Sequence, residues 1–182
     1  MRLMKSLIAV PLLAASSVLA ARGPSQPPAR MPDIYFTPTD QPVADAMLTL
    51  AQVTRDDVVY DLGSGDGRIP ILAAQKYGAR GVGIELDPRL VALSRQVAQE
   101  GEVSDRVTFI EGDLFTADIS PATVVTLYLS SAVNSRLEPK LRHELRPGAR
   151  IVSHKFPIGN WSPDKTMRAN DEDLFLWTIP RR

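Results

Sequence analysis

An apolar strand that runs into a glycine-rich turn is the feature that most constrains the fold of this chain. Residues 57–62 predict a buried strand, glycines occupy positions 63, 65 and 67, and residues 69–77 predict a helix. Alternate glycines let the backbone turn tightly and let a ligand approach it without a clash at Cβ, while the helix start offers backbone N–H groups. This strand, turn and helix predict an α/β sheet with a ligand site at the end of its first strand.

Strands and helices alternate along the rest of the chain. A helix at residues 43–51 precedes the first strand; further strands are predicted at 81–85, 106–111, 123–129 and 149–153, helices at 89–99 and 132–145, and two last strands at 165–168 and 173–179. The apolar run at 123–129 is typical of a strand that is buried on both faces. We therefore predict a Rossmann-like α/β fold: an open twisted sheet, mostly parallel, with a C-terminal antiparallel hairpin and helices on both faces.

The composition excludes several classes of function. The chain has 182 residues, with 21 Lys and Arg against 21 Asp and Glu, so it offers no basic field for a nucleic-acid backbone. It has no cysteine, which excludes disulfides, thiolate zinc sites and cysteine nucleophiles. No histidines and carboxylates stand at metal-ligand spacing. We expect one globular domain, no nucleic-acid partner and no metal.

The N-terminus has the pattern of an export signal. Arg2 and Lys5 precede an apolar or small-residue stretch at 6–21, which is shorter than the roughly 20 residues of a membrane span. We predict a signal peptide at residues 1–20, a proline-rich linker at 21–32 and the folded domain at 33–182. The predicted location is therefore periplasmic or secreted. A membrane anchor, whose bilayer contact would be limited to this segment, and a cytoplasmic protein are the alternatives.

Three acidic residues stand at the ends of successive predicted strands. Asp61 lies two positions before Gly63, Glu85 lies 22 residues after Gly63, and Asp113 lies 28 residues further on. Glu85 occupies the place where an acidic side chain accepts hydrogen bonds from ribose hydroxyls, and Asp113 stands where an adenine amine could be bound. Each also has a structural alternative: Asp61 as a cap of the loop, Glu85 as a solvated side chain and Asp113 as a helix N-cap. Their common register favours a nucleoside site.

The chain resembles the class I, seven-strand methyltransferases that depend on S-adenosylmethionine (SAM). The resemblance runs over residues 34–179 and is strongest in Val-Val-Tyr-Asp-Leu-Gly-Ser-Gly-Asp-Gly-Arg-Ile at 58–69. Within that superfamily it is most similar to the small protein-lysine methyltransferases related to the enzymes that act on the c-ring protein of ATP synthase. The motifs shared with them include Pro38-Thr39, the strand at 124–129, Leu-Arg-Pro-Gly at 145–148 and Ser153-His154. Ser130-Ser131 departs from the Leu-Pro common in these relatives, and Asp40 stands where a second proline would follow Thr39.

The resemblance implies a cofactor and a set of residues that bind it. SAM is the implied cofactor, with its methionine part held by Asp61 and the backbone of Gly63 and Gly65, its ribose by Glu85, and its adenine by Asp113 and Leu114. The full set of predicted cofactor-binding residues is Asp61, Gly63, Ser64, Gly65, Gly67, Glu85, Asp113 and Leu114. The implied reaction is an in-line transfer of the methyl group to a nucleophile. The implied partner is a protein that offers a lysine amine, with a small-molecule acceptor as the alternative.

The acceptor side of the site is less determined by the sequence. We expect Tyr128 and Leu129, at the end of the fourth strand, to wall the acceptor channel. Tyr35 and Thr39 are expected to close over it, and His154 to orient the acceptor. Ordinary core packing is the alternative for Tyr128, and a hydrogen-bonded structural role is the alternative for His154.

Two other functions are compatible with parts of the sequence. One is a non-catalytic exported module that binds an adenosine-type ligand or a protein partner, because a fold does not fix a function. It gains weight from the export signal, since SAM is made in the cytoplasm. The other is a nicotinamide-dependent oxidoreductase, which is disfavoured by G-x-G-x-G spacing in place of G-x-G-x-x-G and by the shortage of chain for a substrate domain.

Overall fold

The computed structural model describes residues 36–181 of the chain. The predicted signal peptide, the linker and Tyr35 lie outside these residues. The described residues form four helices and seven strands: α1 (Gln41–Leu50), β1 (Val58–Leu62), α2 (Arg68–Tyr77), β2 (Arg80–Glu85), α3 (Pro88–Glu100), β3 (Val107–Glu111), β4 (Val124–Leu127), α4 (Ser131–Glu144), β5 (Arg150–His154), β6 (Lys165–Ala169) and β7 (Glu172–Thr178). None of the helices in this part of the chain is long and apolar enough to cross a membrane.

All seven strands join one sheet in the order β3-β2-β1-β4-β5-β7-β6. Strand β1 pairs in parallel with β2 on one side and β4 on the other, so the strand order reverses between β1 and β4. β7 is antiparallel to both β5 and β6, which confirms the predicted C-terminal hairpin. Asn170 and Asp171, the two residues between β6 and β7, both have positive φ, as a tight hairpin turn requires. β4 ends at Leu127, two residues earlier than predicted, so Tyr128 and Leu129 belong to the loop that follows it.

Helices cover both faces of the sheet, in agreement with the predicted fold. Met47 and Leu48 of α1 share a core cluster with Ala73 of α2 and Val59 of β1. α3 joins α2 through a separate cluster that contains Ile71, Val91 and Phe109. On the opposite face, α4 packs Leu137 and Leu141 against a cluster that contains Leu127, Ile151 and Trp177. The two faces together bury the central strands and leave their carboxyl ends at one edge.

Local sequence explains where the helices begin and end. Pro42 lies in the first turn of α1, where a missing N–H group costs nothing. The side chain of Asp87 accepts a hydrogen bond from the Arg89 N–H at the start of α3, and the Ser130 hydroxyl accepts one from the Val133 N–H at the start of α4. Gly78 ends α2 in the left-handed conformation that glycine adopts without strain.

α2 and the turn before it approach β2 so closely that positions 81 and 83 have no room for side chains. A Cβ atom at Gly81 would lie 2.8 Å from both the Cβ and the carbonyl oxygen of Pro70, and one at Gly83 would lie 2.5 Å from the Ser64 hydroxyl. Pro70 and Ser64 thus occupy the volume that side chains on β2 would fill. This close packing fixes the glycine turn and the start of α2 against the end of β2.

We predict that Gly81→Ala lowers the free energy of unfolding by about 1–3 kcal/mol, because the added methyl group overpacks a site bounded by backbone. Urea unfolding of the two purified proteins measures the difference. Gly112→Ala is the matched control, since a Cβ there meets its nearest atom at 3.9 Å and needs no positive φ. Equal effects of the two substitutions would show that α2 and β2 are not closely packed.

Candidate functional site

A cavity of about 460 Å³ opens at the carboxyl ends of the central strands. Its walls come from the loops that follow β1, β2, β3 and β4, together with residues 36–39 before α1. The lining includes Thr39, Asp61, Gly63, Ser64, Asp66, Arg68, Glu85, Asp87, Arg89, Asp113, Leu114, Tyr128 and Leu129. The cavity therefore lies where the strand order reverses, the usual ligand position in an open α/β sheet.

Hydrogen bonds from its own backbone fold the glycine turn back onto β2. The N–H groups of Gly63 and Ser64 both donate to the Ile84 carbonyl oxygen, at 2.8 and 3.0 Å. The Gly65 N–H donates to Glu85 Oε2 at 2.9 Å, and the Gly67 N–H donates to the Ser64 carbonyl at 2.9 Å. These four N–H groups are thus used within the protein. Gly63 and Ser64 are the residues of this turn that line the cavity next to Asp61.

Glu85 is held in place by three backbone N–H groups. Besides the bond from Gly65 to Oε2, its Oε1 accepts hydrogen bonds from Leu86 N–H at 2.8 Å and Asp87 N–H at 2.9 Å. The carboxylate therefore lies fixed in the cavity wall between the turn after β1 and the turn after β2. Oε1 accepts two of these hydrogen bonds and Oε2 accepts one, so the remaining lone pair of Oε2 can still accept a hydrogen bond from a hydroxyl group of a ligand.

Asp61 is a buried carboxyl group. Among the described residues, no basic group contacts it and balances its charge. Its side chain is 4% exposed, and its described hydrogen bond is donated by the Thr126 hydroxyl to Oδ1 at 2.7 Å. Burial, together with the nearby charges of Glu85 and Asp66, outweighs the Thr126 hydrogen bond and raises the pKa of Asp61 to about 7. A cation in the cavity would favour the ionised form of this carboxyl group.

Asp113 and Leu114 follow β3 and line the same cavity. The Asp113 side chain accepts a hydrogen bond from the Phe115 N–H at 2.9 Å, so it forms a turn and does not cap a helix. Leu114 also lies near Gly63, where a Cβ would meet Leu114 Cδ2 at 3.9 Å. The end of β3 thus adds a polar group and an apolar side chain next to the glycine turn.

Tyr128 lines the cavity, but His154 lies behind it. The two rings stack with their centroids 3.9 Å apart and their planes at 30°. His154 is 3% exposed, its ring nitrogens have no hydrogen-bond partner among residues 36–181, and Glu172 Oε2 lies 3.7 Å from Nε2. Burial lowers the pKa of His154, so the imidazole is neutral at neutral pH. His154 therefore supports the Tyr128 ring from the side away from the cavity.

The structure brings most of the predicted site residues to one cavity. The predicted residues that line it are Thr39, Asp61, Gly63, Ser64, Glu85, Asp113, Leu114, Tyr128 and Leu129. Gly65, Gly67 and His154 do not line it. Gly65 lies beneath the ring of Phe36, and Gly67 precedes α2 where Phe109 and Ser94 leave no room for a Cβ. The structure does not place Tyr35.

Several residues of the site were not singled out by the sequence, and three of them make contacts that shape it. Phe36 packs on the glycine turn, Thr126 donates its hydroxyl hydrogen bond to Asp61, and Arg68 joins the turn to residue 39. Arg68 follows Asp66 at a spacing that permits a local ion pair, which was the available signal. The contact of Thr126 with Asp61 spans 65 residues and follows only from the pairing of β1 with β4.

The cavity wall carries more negative than positive charge. Asp61, Asp66, Glu85, Asp87 and Asp113 line it, against two guanidinium groups. Both guanidinium groups are already paired, Arg68 with Asp66 and Arg89 with Asp87. The site is therefore suited to a ligand with positive charge and unsuited to a pyrophosphate.

Comparison with known proteins agrees with this geometry. The family model for the ANTKMT methyltransferase domain matches residues 61–165, which contain most of the cavity wall. The chain belongs to this methyltransferase family. A protein-lysine N-methyltransferase from Saccharolobus islandicus is 40% identical over 145 residues, 79% of this chain and 90% of that protein. An adenine nucleotide translocase lysine N-methyltransferase from Mus musculus is 36% identical over 126 residues, 69% of this chain and 55% of that enzyme.

Solved structures agree in fold and in cofactor. A crystal structure described as an RNA methyltransferase from Salinibacter ruber, in complex with S-adenosylhomocysteine, is 55% identical with a TM-score of 0.79. The match covers 80% of this chain and 95% of that one. A SAM-dependent methyltransferase from Geobacter sulfurreducens, also bound to S-adenosylhomocysteine, is 29% identical over 60% of this chain and 47% of that one, with a TM-score of 0.54.

The chain is a SAM-dependent methyltransferase, and its cavity fits that cofactor. The volume of about 460 Å³ lies within the range of roughly 300–1,000 Å³ typical of small-molecule sites. The unbalanced carboxyl group of Asp61 suits the positive charge of SAM, and the fixed carboxylate of Glu85 suits a ribose hydroxyl. A nicotinamide dinucleotide would bring a pyrophosphate next to Asp61, which disfavours the oxidoreductase alternative.

We predict that Asp61→Asn stabilises the ligand-free protein at pH 8 by roughly 1–4 kcal/mol, the equivalent of one to three pKa units. Because the pKa of Asp61 is higher in the folded state than in the unfolded chain, the free energy of unfolding falls as the pH rises from about 4 to 7. Asparagine keeps the oxygen that accepts the Thr126 hydrogen bond. Urea unfolding at pH 5 and pH 8 measures both effects.

Asp57→Asn is the control, and the change in the free energy of unfolding should have the opposite sign in this variant. Asp57 is also buried, but Arg150 forms an ion pair with it, and the hydrogen bonds from Thr123 and Thr54 together with Arg150 outweigh burial and lower its pKa. That variant should be less stable at pH 8. A stability loss in both variants would contradict the unbalanced charge at Asp61.

Proposed function

We propose that this enzyme is a protein-lysine N-methyltransferase. The observation that carries the proposal is the similarity to the Saccharolobus islandicus protein-lysine N-methyltransferase along nearly the whole of that protein. The charge of the cavity supports the same conclusion, because carboxylates attract a lysine ammonium group toward the site. The chain spans about half the length of several vertebrate relatives, such as the Mus musculus adenine nucleotide translocase lysine N-methyltransferase, so their particular substrates are not transferred to it.

We assign the binding of the cofactor to four side chains and to the backbone of the glycine turn. When bound, SAM supplies a methyl group that is activated by a positively charged sulfur and leaves by in-line displacement. Asp61 would balance positive charge, Glu85 would accept hydrogen bonds from the ribose hydroxyls, and Asp113 with Leu114 would hold the adenine. The backbone of Gly63 and Ser64, which line the cavity, would lie against the methionine part.

The acceptor side has to make a lysine amine nucleophilic. A lysine has an unperturbed pKa near 10.4, and transfer into a partly apolar channel favours its neutral form. Tyr128 and Leu129 would form that channel, with His154 supporting the Tyr128 ring. The lysine ammonium would release a proton to solvent, and the lone pair of the resulting neutral amine would form the N–C bond as the S–CH3 bond breaks. Rate enhancement then comes mainly from alignment, which needs no strong general base.

An RNA substrate is the second candidate, because the Salinibacter ruber structure is described as an RNA methyltransferase at 55% identity. The cavity charge argues against it. RNA binding needs unpaired basic groups for the phosphates, and both arginines of the cavity wall are paired with aspartates. The formal net charge of the chain is zero. We therefore rank protein above RNA as the acceptor.

Labelled SAM separates these possibilities. We expect the purified enzyme with methyl-labelled SAM to transfer label to protein of a host extract as methyl-lysine, and not to purified total RNA. Glu85→Ala should bind neither SAM nor S-adenosylhomocysteine in calorimetry, whereas Glu100→Ala, an exposed glutamate at the end of α3, should bind both normally.

Other outcomes would favour other functions. Label in RNA would overturn the proposal of a lysine acceptor, while the assignment as a methyltransferase would still hold. Binding of SAM without transfer to protein, RNA or small-molecule acceptors would favour the non-catalytic module. Binding of NAD in place of SAM would favour the oxidoreductase.

We further propose that residues 1–20 direct export, on the pattern of Arg2, Lys5 and the apolar stretch that follows them. Mass spectrometry of the protein isolated from its host should find Ala21 at the N-terminus of the mature chain. An intact N-terminus in the membrane fraction would favour an anchor, and one in the cytoplasmic fraction would favour a cytoplasmic enzyme. The last result would also remove the difficulty of supplying SAM outside the cytoplasm.

A further inference from the structure

A short segment, the strap, crosses the glycine turn at the edge of the cavity. We define the strap as residues 36–39, all of which line the cavity. The ring of Phe36 lies on the backbone of Gly65, in the space that a Cβ atom at Gly65 would occupy. Gly65 in turn donates its N–H to Glu85, so the strap rests on the part of the turn that fixes Glu85.

The end of the strap is anchored to the first helix. The carbonyl oxygen of Asp40 accepts hydrogen bonds from the N–H groups of Val43 and Ala44 at 3.0 and 2.9 Å, which begins α1. Thr39, the last residue of the strap, is 4% exposed. The strap is therefore fixed at its α1 end, and within the described part of the chain Phe36 at its other end rests on the glycine turn.

In addition to Phe36, the side chain of Arg68 joins the strap to the turn. Arg68 Nη1 donates a hydrogen bond to the Thr39 carbonyl oxygen at 2.8 Å. Its Nε donates to Asp66 Oδ1 at 3.0 Å, and its Nη2 donates to Asp66 Oδ2 at 2.5 Å. Arg68 is the first residue of α2, so a single guanidinium group links α2, the glycine turn and the strap.

We infer that Arg68 is a positioning residue that holds the strap closed over the bound cofactor. The inference rests on the SAM-dependent activity and not on the identity of the acceptor. The strap and the glycine turn both line the cavity, so a cofactor bound there lies against the strap, and movement of the strap away from the turn opens a path for its release. Moving the strap breaks the Arg68–Thr39 hydrogen bond and the contact of Phe36 with Gly65. Arg68 thus sets how long the cofactor and its product stay bound.

The geometry explains why arginine stands at this position. A guanidinium group presents five N–H donors in a fixed plane, so it pairs with a carboxylate along one edge and donates to a carbonyl from another nitrogen. A lysine ammonium is a single point of charge and would satisfy Asp66 without holding Thr39. Arg68→Lys therefore separates the ion pair within the turn from the link to the strap.

The test is the dissociation rate of S-adenosylhomocysteine, measured by stopped-flow displacement. We expect Arg68→Ala and Arg68→Lys to raise this rate about tenfold, the factor for losing one hydrogen bond to a charged group. Lys76→Ala is the matched control. Lys76 pairs with Asp45 and so also ties α2 to α1, but it touches neither strap nor turn, and its loss should change the rate less than twofold.

Two further readouts separate positioning from general stability. Arg68→Lys should keep the melting temperature of the wild type while the KM for SAM rises and the KM for the acceptor does not. Phe36→Ala as a single substitution should also raise the dissociation rate. Combined with Arg68→Ala, it should raise the rate little further, because either change frees the strap. Unchanged dissociation in Arg68→Lys, or fully additive effects of the two alanine variants, would overturn the inference. If the wild type binds no S-adenosylhomocysteine, the cofactor assignment itself fails.

Discussion

The docking of the turn after β1 onto the end of β2 is the contact on which the rest of the site depends. Gly63 and Ser64 share the Ile84 carbonyl, and Gly65 is bound by the carboxylate of Glu85. The same turn starts α2, which packs on β2 only because Gly81 and Gly83 leave room for it. Loss of this docking would move Glu85, the start of α2 and the surface beneath the strap together. The site is thus assembled by backbone contacts before any ligand arrives.

The two buried aspartates next to and within β1 show how position decides the role of a carboxyl group. Asp57 lies before the strand, where Arg150 and hydrogen bonds from Thr54 and Thr123 surround it and lower its pKa. Asp61 lies near the carboxyl end, where Thr126 supplies its described hydrogen bond and burial raises its pKa. Asp57 therefore has its charge balanced within the protein. Asp61 would gain a balancing charge when a positively charged ligand binds.

Most of the fold could be predicted from the sequence because its signals are local. Apolar runs and the alternate glycines of the turn predicted every helix and strand, with ends displaced by at most two residues. Asp61, Glu85 and Asp113 were predicted to lie together, because the ends of neighbouring parallel strands share one edge. The length of β4 was overestimated, since an apolar run continues as Tyr128 and Leu129 after the strand pairing ends.

The remaining features of the site depend on contacts between distant parts of the chain. Arg68 reaches the carbonyl of Thr39 across 29 residues, and nothing in the sequence near either residue specifies that bond. His154 is the last residue of the buried strand β5, yet the stacked Tyr128 ring separates it from the cavity. Gly67 belongs to the glycine motif but serves the packing of Phe109 and Ser94. Sequence spacing identifies such residues without showing which way their side chains face.

The unbalanced carboxyl group of Asp61 also bears on how long the enzyme survives in a cell. Because a bound ligand stabilises only the folded state, the fraction of molecules exposed to proteases falls as cofactor accumulates. At 100 times the dissociation constant the gain is about 2.7 kcal/mol, roughly a hundredfold smaller unfolded fraction. Enzyme abundance would then follow the supply of methyl donor, with the empty protein turned over first when that supply runs low.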